Sequence, residues 1–181
     1  MPGPMTPERR VFFAIWPDSL VARQFAAAGR QAGKVLGGRR MRRDSLHMTL
    51  AFIGGIAPGR IADLQEIARA VRLPVFELTF DRLQCLMRKK IAWAFASAPP
   101  RGLLELAATL NTRLEAGGFR TEERPFAAHV TLLRNANCEV GAVEESLDIR
   151  WPVRDFVLVE SERGAEGARY RILERWALAQ S

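Results

Sequence analysis

The 181-residue chain contains only two histidines, and both stand in the same four-residue frame: His47-Met48-Thr49-Leu50 and, 82 residues later, His129-Val130-Thr131-Leu132. With seven threonines and twenty leucines available, Thr-Leu behind both histidines has chance odds of roughly 1 in 50,000. The chain is thereby constrained to two related halves. Residues 11–16 (Val-Phe-Phe-Ala-Ile-Trp) read as a strand stopped by Pro17, and Asp18 or Ser19 caps a helix running to about 35. The first histidine strand spans 47–53, a helix opened by Pro58 runs to about 71, and a strand covers 75–84. The second half repeats the order: a strand at 90–96, a helix from Pro99-Pro100 to about 116, and the second histidine strand at 128–134. A weak helix near 139–147 and strands at about 153–161 and 169–178 complete the reading. Strand 11–16 corresponds to 91–96, the helices correspond, and strand 75–84 corresponds to 153–161, all at offsets near 80. Short strands in mixed order predict an α+β fold of two related lobes, mostly antiparallel, with helices packed on the sheet faces.

The frame also carries chemistry. In a strand of period two, residues i and i+2 share a face, so each histidine projects beside a threonine hydroxyl. Two histidines without a nearby Cys make an incomplete metal site, so no metal is expected. Imidazole, with an unperturbed pKa near 6.5, suits acid–base work, one ring neutral and the other protonated. Opening a phosphodiester needs a base for the nucleophile and an acid for the leaving oxygen, on opposite sides of phosphorus. The threonine hydroxyls can donate to the non-bridging oxygens. No P-loop, dinucleotide fingerprint or nucleophilic Ser or Cys frame is present, so no cofactor is expected.

The net charge of +7 comes from 24 arginines and three lysines set against 20 acidic residues. That balance suits a polyanion, and Arg39, Arg40, Arg42 and Arg43, just before the first histidine strand, concentrate it. Arg88, Lys89 and Lys90 read as a solvated hairpin tip. No run has the apolar length to span a bilayer, and Met1 to Arg10 lacks the apolar core of a signal peptide, so the expected compartment is cytoplasmic. Cys85 and Cys138, the only thiols, form no C-x-x-C pair and read as buried free cysteines.

Paired His-x-Thr frames about 80 residues apart in a basic chain of this size resemble the 2H phosphoesterase family. The flanks Leu46 to Gly54 and Arg124 to Arg134 are closer still to its RNA 2′,3′-cyclic phosphodiesterase branch, also called 2′-5′ RNA ligase. Phe12 to Ile15 with Pro17-Asp18, Glu160-Ser161, and Gly167 to Tyr170 are similar to that branch as well. Ala128 departs from the proline common before the second histidine, which loosens the backbone but removes no reactive group. The resemblance implies a bilobal fold, its two pseudo-two-fold-related sheets facing a central cleft, with no metal. It implies hydrolysis of a 2′,3′-cyclic phosphate to a 2′-phosphate, with His47 as proton donor to the 3′ oxygen and His129 as the base activating water. Thr49 and Thr131 would hold the phosphate, Phe52 would stack on the base, and Arg134 would contact phosphate or ribose.

Strand parity does not reach the last two residues. Both lie at i+5 from their histidine, on the opposite face of a regular strand. Either a strand end or a bulge re-aims them, or they are core and surface residues. The resulting expectation is a monomeric, metal-independent phosphodiesterase acting on RNA ends, built as a single 2H domain of two intertwined lobes over residues 1–181. An RNA-end-binding module, and an enzyme acting on small cyclic nucleotides or ADP-ribose cyclic phosphate, stay open.

Overall fold

The computed structural model describes residues 7–140 and 145–180. Two antiparallel sheets and three helices make an α+β fold. One sheet has the order β3-β1-β8-β9, from β3 (Met48–Ile56), β1 (Arg9–Ile15), β8 (Asp155–Gly164) and β9 (Gly167–Ala177). The other has the order β2-β6-β5-β4-β7, from β2 (Arg39–Arg40), β6 (His129–Arg134), β5 (Ile91–Phe95), β4 (Phe76–Leu86) and β7 (Glu145–Val153). The row β3-β1-β8-β9 maps onto β6-β5-β4-β7, with β2 as an added edge. The halves are exchanged: β4 from the first half completes the sheet of the second histidine, while β8 and β9 complete the sheet of the first.

The helices cross over in the same way. Helix α1 (Ser19–Leu36) is capped by Asp18, whose carboxylate accepts from the Leu20 and Val21 amides at 3.0 and 2.9 Å. It ends at Gly37, whose φ of 60° a side chain would resist. Its buried stripe, Val21, Phe25, Gly29, Ala32 and Leu36, packs on β6, and a Cβ on Gly29 would meet Leu132 at 3.6 Å. Helix α3 (Arg101–Ala116) packs on β3 and on α2 (Ile61–Arg69), burying Leu103, Leu106, Leu110 and Leu114. One continuous core joins both sheets to the helices and includes Phe13, Phe25, Phe80, Trp151 and Phe156. A separate small cluster (Phe12, Ala14, Val157 and Val159) lies on the other face of the first sheet.

Two expectations are corrected. The helix near 139–147 is absent from the described residues: a 3-10 turn covers Cys138–Val140, and β7 begins at Glu145, with 141–144 outside the described residues. From Asp148 on, β7 alternates exposed Asp148, Arg150 and Pro152 with buried Ile149, Trp151 and Val153, a period of two that marks a strand and not a helix. Its place at the sheet edge tolerates Pro152. Cys85 and Cys138 are not free thiols but a disulfide with a Cα–Cα distance of 5.5 Å. They are 53 positions apart in sequence, yet β4 lies two strands from β6, and the turn leaving β6 folds back toward Cys85. Much of the stretch read for a signal peptide, Met1–Thr6, lies outside the described residues. No helix among the described residues is long and apolar enough to cross a membrane.

Candidate active site

The histidine strands β3 and β6 approach each other where the two sheets face. His47 stands directly before β3 and His129 opens β6. Each imidazole is fixed by the same device, Nδ1 against the carbonyl two residues earlier, Ser45 O at 2.7 Å and Ala127 O at 2.8 Å. A carbonyl can only accept, so Nδ1 carries the proton and donates it, which leaves Nε2 free to take or give one.

Phe52 and Arg134 are re-aimed by a duplicated bulge. Along β1 and β3, Ala14 faces Thr49 but Phe13 faces Ala51, leaving Leu50 unpaired. Along β5 and β6, Trp93 faces Thr131 but Ala92 faces Leu133, leaving Leu132 unpaired. Each extra residue sits three positions after its histidine. Two successive residues then turn inward, Leu50-Ala51 and Leu132-Leu133, all buried. Parity is inverted, and the residue five positions after each histidine returns to the cleft face. His47, Thr49, Phe52, His129, Thr131 and Arg134 accordingly line one cleft of about 510 Å³.

The sequence profile of the 2′-5′ RNA ligase superfamily matches residues 16–165. The chain is 33% identical over 176 residues to the RNA 2′,3′-cyclic phosphodiesterase of Escherichia coli K12, covering 97% of this chain and 100% of that protein. The chain belongs to the 2′-5′ RNA ligase superfamily. The protein of the same name from Thermus thermophilus is 26% identical over 188 residues, covering 93% of this chain and 90% of that one. The crystal structure of E. coli LigT complexed with 3′-AMP superimposes with a TM-score of 0.86 at 33% identity, covering 96% of this chain and 99% of that one.

Within this superfamily member the two histidines have unlike surroundings. The His47 ring stacks on Trp16 at 4.8 Å with an interplanar angle of 5°, has Phe12 at 5.1 Å, and meets Tyr170 edge-on at 4.9 Å. Burial pushes its pKa down to about 4; the Ser45 carbonyl opposes the shift, and the charges of His129 and Arg134 add to it. His129 has one close aromatic neighbour, Trp93 at 4.3 Å. Burial is again the main cause of a lowered pKa, opposed by the Ala127 carbonyl; Lys89 lowers it further and Glu122 raises it. No group of three or more His, Cys, Asp or Glu among the described residues is arranged to hold a metal ion.

The first sheet also brings Arg10, Ser161, Arg163 and Tyr170 to the cleft, none of which the His-x-Thr frame reveals. Arg10 sets its guanidinium 5.5 Å from the Phe52 ring centroid. Ser161 faces the cleft while its neighbour Glu160 points away, gripped by Arg9 (Nη2 at 2.9 Å) and Arg171 (Nε at 3.1 Å). These arginines hold the Glu160 carboxyl down to about 2, tying β1, β8 and β9 together behind the cleft. The available signals were the chain's single tyrosine and the Glu160-Ser161 pair, but neither carries a spacing rule that points to a cleft.

Proposed function

We propose that this protein hydrolyses terminal 2′,3′-cyclic phosphates on RNA to 2′-phosphomonoesters by two-histidine acid–base catalysis. The observation that carries the reading is the pair of imidazoles anchored alike through Nδ1, with both Nε2 atoms free, in one cleft with two threonine hydroxyls. The names of the E. coli and T. thermophilus relatives support the substrate. His129 Nε2 takes a proton from water as the water oxygen attacks phosphorus. The bond from phosphorus to the 3′ oxygen breaks, His47 Nε2 protonates that oxygen, and a 2′-phosphomonoester and a 3′-hydroxyl result. Thr49 and Thr131 donate to the non-bridging oxygens, Arg134 balances their charge, and Phe52 offers its ring to the terminal base.

The lowered pKa values favour the neutral form of both rings at pH 7. The anionic phosphate supplies what is missing. Bound between the rings, its charge favours a protonated imidazole, so substrate and proton enter together. The protein works as a monomer in the cytoplasm under this reading. An oligoribonucleotide ending in a 2′,3′-cyclic phosphate, incubated with chelator, should yield only the 2′-phosphate. A 3′-phosphate product would reverse the leaving group, and tight binding without turnover would make the protein an end-binding module.

A further inference from the structure

The basic run before β3 is divided by the register of a two-residue strand. Arg39 pairs directly with Arg134 and Arg40 with Leu133. Opposed residues of an antiparallel pair share a face, so Arg39 lies on the cleft side with Arg134, and Arg40 on the α1 side with buried Leu133. The Arg40 stem lies against α1, its Cγ 3.8 Å from where a Cβ on Gly33 would sit. Arg40, Arg43 and Arg30 line a separate groove behind β6. Arg39 instead reaches across to the β8–β9 turn, with Nη1 3.4 Å from the Glu166 carbonyl oxygen.

A cavity of about 140 Å³ opens there, sharing Ser45, Arg134 and Tyr170 with the cleft. Arg39, Arg42, Arg134 and Arg169 line it, with Glu166 as the one acidic residue in its wall. Arg42 is also paired with exposed Asp44 at 2.5 Å. The cavity is too small for a nucleoside, ordinary ligand pockets being roughly 300–1,000 Å³. It has room for a phosphodiester group, and guanidinium groups match phosphate geometry. A further groove of about 300 Å³, lined by Arg42, Asp44, Arg169 and Tyr170, adjoins it.

We propose that this cavity is a subsite for the backbone phosphodiester immediately 5′ of the terminal nucleotide. It makes the enzyme select an RNA chain end over a cyclic mononucleotide. The inference rests on the hydrolytic reading above. The test compares kcat/KM for a dinucleotide ending in a 2′,3′-cyclic phosphate with that for the matching cyclic mononucleotide. Two double variants each remove two positive charges: Arg39→Ser with Arg169→Ser, and Arg40→Ser with Arg43→Ser. The wild type should favour the dinucleotide by about 10-fold or more, as expected for charge-assisted contacts to one phosphate. The Arg39/Arg169 variant should lose most of that ratio, and the Arg40/Arg43 variant should keep it. Arg39→Lys, which retains charge without the planar fork, should keep part of it and guards against a folding defect. Equal loss in both double variants would reduce the effect to bulk charge, and an unchanged ratio in the Arg39/Arg169 variant would remove the subsite. Binding of the 2′-phosphate products of both substrates reads the same ratio. An enzyme that hydrolyses neither substrate would therefore overturn the hydrolytic reading while the subsite is still decided by binding.

Discussion

The two histidines sit in copies of one backbone device and in very different company. Frame, Nδ1 anchor and bulge are repeated at Leu50 and Leu132. His47 is enclosed by Trp16, Phe12 and Tyr170, whereas His129 has Trp93 and lies within the influence of Lys89 and Glu122. The backbone thus fixes where the two rings point, and the side chains packed around each ring fix how it holds a proton. A duplication alone would give two equivalent groups. In the proposed mechanism His47 serves as acid and His129 as base, with the acid's proton favoured by the substrate's own charge.

The largest effect should come from removing either ring. His47→Ala and His129→Ala are each expected to lower kcat/KM by about 10²–10⁴-fold with the fold retained by circular dichroism. Near-normal turnover in one of them would break the symmetry of need between the lobes. Thr49→Ala and Thr131→Ala should each cost about 10- to 100-fold, the value of one hydrogen bond to a charged oxygen. Unequal losses would show which lobe carries more of the phosphate.

A smaller effect concerns protonation itself. Both histidine pKa values lie below the unfolded value of 6.5, so between that pH and about 4 the unfolded chain binds more protons than the folded one. Stability of the ligand-free protein should therefore be complete above pH 6.5 and fall as the pH drops, with His47 contributing at most about 3 kcal/mol. Trp16→Ala should open His47 to water and raise its pKa toward 6.5, read from its ring-proton shifts in NMR. Trp93→Ala should move His129 upward by less. A larger move at His129 would invert the contrast in enclosure.

The sequence is legible wherever local rules operate. Asp18 and Gly37 bound α1, and the offsets near 80 anticipate the paired strand orders. The frame brings His47, Thr49, His129 and Thr131 to one cleft because period two holds from each histidine to its threonine. It fails one step later, since Leu50 and Leu132 look like ordinary strand residues and a bulge is visible only in the pairing. That is why Phe52 and Arg134 could not be placed from parity. The Cys85–Cys138 link, and the arrival of Ser161 and Tyr170 from the exchanged strands β8 and β9, depend on sheet order, which no local pattern encodes. Strand β7 is written in the alternation of Leu147, Ile149, Trp151 and Val153 with polar residues and Pro152, a signal that the reading of a weak helix near 139–147 overlooks.

The division of labour between the lobes is tested most directly with a 2′,3′-cyclic phosphate carrying sulfur in place of the bridging 3′ oxygen. A thiolate leaves without a proton far more readily than an alkoxide, thiols having a pKa near 8.5. With this substrate His47→Ala should recover most of its lost rate relative to the wild type, and His129→Ala should recover none. Rescue of His129→Ala instead would exchange the two roles, and rescue of neither would contradict acid catalysis at the 3′ position.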